Sequence, residues 1–107
     1  MKLWIDDVRP CPNPKEWRTA KSVNEAKRII LRNETIVQDS GIQDFAITVI
    51  DIDHDAGQYA YDGGDYIKLL DWLEETGRNY PIHIHSMNVV GVANMRAIIQ
   101  KNGWKEV

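Results

Sequence analysis

Short apolar runs alternate with amphipathic stretches along this chain. Leu3-Trp4-Ile5 is an apolar run that stops abruptly at Asp6-Asp7, the pattern of a strand buried on both faces of a parallel sheet. Pro10, Pro12 and Pro14 predict a loop over residues 8–16, because proline lacks the ladder amide and restricts the residue before it. Trp17 to Ala20 reads as a brief second strand. Ser22-Val23-Asn24-Glu25 forms a capping box. Val23, Ala26, Ile29 and Ile30 follow at helical spacing and predict an amphipathic helix over 23–32. Residues 34–44 stay open: Thr35-Ile36-Val37 fits a strand or a helix tail, and Gly41 ends either. Phe45 to Ile52 alternates β-branched and apolar residues and predicts a strand ending in Asp51-Ile52-Asp53-His54-Asp55.

The second half repeats the alternation. Gly57 to Gly64 is a polar, glycine-bearing loop. Asp65 to Glu75 places Tyr66, Leu69, Leu70 and Leu73 on one helical face, with Gly77 at the stop. Pro81 to His85 reads as a strand whose proline stands where no ladder amide is lost. Asn88 suits the cap of a helix over 91–102, with Val92, Met95, Ile98 and Ile99 inward and Gly103 after it. Trp104 to Val107 suggests a last short strand. Strands alternating with helices predict an α/β fold with a mainly parallel sheet, and such sheets bind ligands outside the carboxyl ends of their strands. Three strands end in polar clusters: Asp6-Asp7, Asp53-His54-Asp55 and His85-Ser86-Met87-Asn88. In a parallel sheet all three meet on one edge.

Composition narrows the class. The 107 residues suit one domain, residues 1–107, and 43% hydrophobic with 27% charged residues is a globular profile. No apolar run approaches the roughly 20 residues of a membrane span, and the first residues become charged too soon for a signal peptide. The single cysteine, Cys11, forms no internal disulfide and fits a reducing compartment, so the expectation is a cytoplasmic protein. A net charge of −3 argues against an extensive nucleic-acid surface. A small phosphate ligand remains compatible with that charge.

The polar clusters carry the candidate chemistry. Adjacent carboxylates repel, so Asp6 and Asp7 need a neutralising partner, and a hard cation such as Mg²⁺ takes carboxylate and phosphate oxygens. Asp53 and Asp55 add two carboxylates at another strand end. Asp51 shares a face with Asp53 and either lies deeper in the strand or meets a lysine. His54 and His85 are the candidate proton carriers, since histidine titrates near neutral pH. His83 shares a strand face with His85, but no third nitrogen or sulfur ligand completes a zinc site. Arg9 either binds phosphate bidentately or balances Asp6 and Asp7. Ser86 and Asn88 precede a helix whose free amides suit an anion, and both are ordinary helix-start residues. The four tryptophans read as core and edge packing.

Together, Trp4-Ile5-Asp6-Asp7-x-Arg9-Pro10, Asp53-His54-Asp55-x-Gly57 and His85-Ser86-x-Asn88-x-x-Gly91-x-x-Asn94-Met95 resemble the cyclic-phosphate processing receiver-like domain family. The resemblance covers essentially the whole chain. It implies a three-layer receiver-like (flavodoxin-like) fold and hydrolysis of cyclic phosphates on nucleotides or RNA ends. Val89, Ala56 and Asp51 depart from the family pattern, which often has proline, leucine and serine at those places. Ordinary receivers also carry a lysine at the end of the last strand, where only Lys105 is near.

The expected activity is a metal-assisted phosphoesterase. Asp6, Asp7, Asp53 and Asp55 would hold Mg²⁺ or Mn²⁺. His54 and His85 would carry protons, Asp53 offers a covalent alternative, and Arg9, Ser86 and Asn88 would bind phosphate. The alternatives are a receiver-type phosphoswitch and a non-catalytic nucleotide-binding module.

Overall fold

The computed structural model describes residues 1–107. Its strands are β1 (Lys2–Ile5), β2 (Trp17–Ala20), β3 (Val49–Ile52) and β4 (Ile82–Ile84), and its helices are α1 (Val23–Ser40), α2 (Ile67–Glu75) and α3 (Val89–Asn102). The strands form one four-stranded sheet in the order β2-β1-β3-β4, with every neighbouring pair parallel. The expected α/β architecture is present, and the three runs that end in polar clusters are neighbours.

Register and the two-residue period sort the sheet into two faces. Leu3, Ile5, Ala20, Ile50, Ile52 and Ile82 form one face. They share a 19-residue core with Ile29 and Ile30 of α1, Leu69, Leu70 and Leu73 of α2, and Met95 and Ile99 of α3. All three helices therefore cover the same face. The cause is the strand order: β2 to β3 and β3 to β4 step in one direction, so right-handed crossovers put α1 and α2 on one side. The step from β1 to β2 runs the other way, and its connection crosses the opposite face. That connection carries Pro10, Pro12 and Pro14 and forms no helix, so a loop, reached by the Trp4 indole at Arg9, stands on that side in place of a helix.

Several boundaries differ from expectation. The segment left open is a helix tail: α1 runs to Ser40, and Gly41, at φ 72, donates its N–H to the Val37 carbonyl. At its start the Ser22 Oγ accepts from the Glu25 amide at 3.0 Å, and the Glu25 carboxylate accepts from the Lys21 amide at 2.7 Å. The strand expected from Phe45 begins only at Val49, because residues 43–45 wind into a 3₁₀ turn. Part of the expected loop after Gly57 is also a 3₁₀ turn, residues 57–61. The last expected strand is reduced to one bridge, Glu106 beside Ile82. No helix is long and apolar enough to cross a membrane.

Candidate functional site at the carboxyl edge of the sheet

Asp6 leaves β1 fully buried. Its Oδ1 accepts from the amides of Val8 and Arg9, both at 2.9 Å, which turns the chain sharply off the sheet. Its Oδ2 meets His85 Nε2 at 2.9 Å. Burial alone would raise the Asp6 carboxyl, but the Arg9 and Val8 amides and the His85 ring together hold it below its ordinary value.

His85 follows β4 and has both ring nitrogens engaged. Nε2 faces Asp6, and Nδ1 makes a short hydrogen bond to buried Asp51 in the neighbouring strand. Burial pulls this imidazole down, and the two carboxylates overcome it and hold it above the ordinary histidine value. The ring also stacks on Trp4, with centroids 4.0 Å apart and planes at 6°. Trp4 is held in turn by an edge contact to Trp17 at 5.6 Å and by its indole N–H donating to the Arg9 carbonyl at 2.9 Å. Asp6, Asp51, His85 and Trp4 thus make one polar-aromatic row on the face without helices. Asp51 meets a histidine and no lysine.

His54 occupies different surroundings. Its Nδ1 lies 2.8 Å from Asp55 Oδ1 and 3.4 Å from Asn88 Nδ2. Its ring rests on Gly91 in the first turn of α3, where an added Cβ would come within 2.5 Å of the imidazole. Asn88 Oδ1 caps α3 by accepting from the Gly91 amide at 2.9 Å, while its Nδ2 donates to Asp55 at 3.3 Å. Ser86 Oγ accepts from the Asn88 amide at 3.2 Å. The His54 ring, against the opposing effect of burial and with help from Asn88, holds the exposed Asp55 carboxyl below its ordinary value.

One ligand atom each of Asp6, Asp53 and His85 lies within 4.8 Å of the others. Asp55 and His54 stand outside that group. Asp53 accepts from the His54 amide at 2.7 Å, and its own amide donates to the Ile5 carbonyl at 3.0 Å. Asp7 sits close by, its Oδ2 against Gly57, where an added Cβ would come within 2.4 Å of it and where φ is 54. The Lys21 ammonium reaches the Asp7 carbonyl at 3.2 Å and lies over the Tyr59 ring, but meets no carboxylate. Neither the Asp7 nor the Asp53 carboxylate has a cationic partner, and their hard oxygen donors beside Asp6 suit a hard divalent ion. Buried Tyr66 registers the same charge: burial first, then the fields of Asp7, Asp6 and Asp53, hold its phenol well above the ordinary value.

Arg9 is exposed on the rim and forms no ion pair. Lys105 lies at the far end of β4, its carbonyl accepting from the Ile82 amide at 2.8 Å, so no lysine occupies the receiver position beside the acids. Sequence reasoning passed over Trp4 as packing and gave Gly91 no physical reason. A period-two count from Asp6 back to Trp4 would have found the first.

A family model described as the cyclic-phosphate processing receiver domain matches residues 1–101. No curated protein and no solved structure matches the chain.

Proposed function

Because the chain belongs to the cyclic-phosphate processing receiver domain family, we propose that it is a phosphoesterase that opens cyclic phosphates on nucleotides or RNA ends. The observation that carries this reading is the gathering of Asp6, Asp53 and His85 within 4.8 Å, beside unpaired Asp7 and Arg9. Asp6, Asp7 and Asp53 would hold Mg²⁺ or Mn²⁺, which would offset the phosphate charge. Asp55 serves His54 rather than the metal.

The two histidines take different roles. His54 Nδ1 is directed at Asp55, which leaves Nε2 with the lone pair of a general base. It removes a proton from the attacking water as the water oxygen bonds to phosphorus. One ring P–O bond breaks, and the departing oxygen would take its proton from His85 Nε2 as that nitrogen gives up its hydrogen bond to Asp6; Asp51 and Asp6 favour the charged form of the ring that donates it. Arg9, Ser86 and Asn88, with the free amides at the start of α3, receive the phosphate oxygens. The sum is one water added across one ester bond.

The test is turnover of a nucleoside 2′,3′-cyclic phosphate and of RNA ending in one, with Mg²⁺, with Mn²⁺ and with chelator. His54→Ala and His85→Ala should each lose roughly 10²–10⁴-fold in rate. Turnover that persists without either histidine, or no turnover with either metal, overturns the reading.

A further inference from the structure

A groove at the β2 edge of the sheet, away from the acidic cluster, is lined by Arg18, Glu25, Arg28, Ile29 and Arg32. It is unusual for its charge. The chain is net acidic, and two of its arginines are clamped by carboxylates, Arg78 by Glu34 and Arg96 by Glu106. Arg18, Arg28 and Arg32 are all exposed and form no ion pair or side-chain hydrogen bond. The acid that lines the groove and the one that acts on Arg28 are already engaged, while Glu16 shares a neighbouring cavity with Arg18. Glu25 accepts from the Lys21 amide, and the Asp62 carboxylate, which feels Arg28, accepts from Ser22 and Asn24.

One residue, Lys21, links the groove to the candidate site. Lys21, whose amide binds the groove residue Glu25, extends its ammonium to the Asp7 carbonyl. From that edge α1 runs back along the sheet at about 1.5 Å per residue, so Arg28 and Arg32 lie roughly 8 and 14 Å from its start. Being four residues apart, they present neighbouring guanidinium groups on one helix face. Arginine's planar fork suits phosphate oxygens.

We propose that Arg18, Arg28 and Arg32 bind the phosphodiester backbone of a single-stranded RNA whose end lies at the acidic site. The choice of RNA rests on the proposed function; the groove itself does not. Three phosphate contacts on a single strand predict a log–log salt slope of about −2, since each contributes roughly −0.7.

The test is fluorescence anisotropy of the full chain with a labelled short RNA ending in a 2′,3′-cyclic phosphate, across a salt series. Arg18→Gln, Arg28→Gln and Arg32→Gln should each flatten the slope by roughly 0.7, and the triple variant should bind at least about tenfold more weakly. Lys105→Gln, an equal charge change at the far end of β4, should leave binding as it is. RNA binding equal in the triple variant and the wild type overturns the groove. So does a poly-glutamate peptide that binds more tightly than the RNA, which would make the partner an acidic protein segment. RNA binding that depends on the three arginines, without turnover of any cyclic phosphate, supports the groove and removes only the esterase reading.

Discussion

Asp51 is the residue whose removal says most about His85. It is buried, departs from the serine common at its place, and accepts the Nδ1 hydrogen bond. His85 has a folded value above its unfolded one, so its contribution to stability is complete below about pH 6.5 and is lost as pH rises through the folded value. Asp6 runs the other way: its lowered value stabilises the fold above about pH 3.9 and is lost as pH falls through the folded value. Asp51→Asn should move the alkaline loss of stability to lower pH and leave the acid limb set by Asp6 in place. Urea unfolding across a pH series measures both limbs. Unchanged alkaline behaviour would mean that Asp6 alone holds the imidazolium. A second residue-scale test concerns Gly91. Gly91→Ala should gain helix propensity, up to about 1 kcal/mol, yet drive a methyl into the His54 ring. The expected result is a folded protein with strongly reduced turnover; full turnover would show that His54 has room to move without consequence.

Among the elements, α2 buries its apolar face, with Leu69, Leu70 and Leu73 fully buried, while Glu74 accepts from Asn102 of α3 and Trp72 lies under Arg78. Leu70→Ala should cost about 2–5 kcal/mol, read by urea denaturation. A smaller loss would mean that α1 and α3 close over the gap. This face, like most of the strands, was legible in the sequence because its spacing is helical and uninterrupted. The carboxyl-edge cluster was legible for the same reason: parallel strands bring their ends together whatever else the chain does. Residues 34–40 were not. Thr35, Ile36 and Val37 are β-branched and favour strand locally, and the helix continues there because tertiary contacts favour it: Asn33 donates to the Phe45 carbonyl at 2.9 Å, and Arg78 grips Glu34 at 2.8 Å. The separation of the two histidines was also hidden. Adjacent residues point to opposite faces of a strand, so Asp53 and His54 could not both join Asp6 and His85, but both lie beyond the last ladder residue of β3, where periodicity no longer fixes direction. The arginine groove escaped because its members come from a strand and a helix that meet only in the folded chain.

At the scale of the molecule, the site is assembled from three remote parts of the chain. Asp6 and His85 are 79 residues apart in sequence, and Asp51 and His85 are 34 apart. No fragment holding fewer than β1, β3 and β4 brings those groups together, so a cation bound there, as proposed, would bind the native chain in preference to the unfolded one. Binding and unfolding then form one linked equilibrium. At a free ion concentration a hundred times the dissociation constant, the native state gains about 2.7 kcal/mol, and the melting temperature should climb with each addition of Mg²⁺ or Mn²⁺. Asp53→Asn should flatten that climb. A melting temperature indifferent to both ions would place metal outside this protein's working chemistry. A simple thermal scan therefore doubles as a ligand screen: any cyclic phosphate seated at the junction of the three strands should announce itself as heat resistance, before a single turnover is observed.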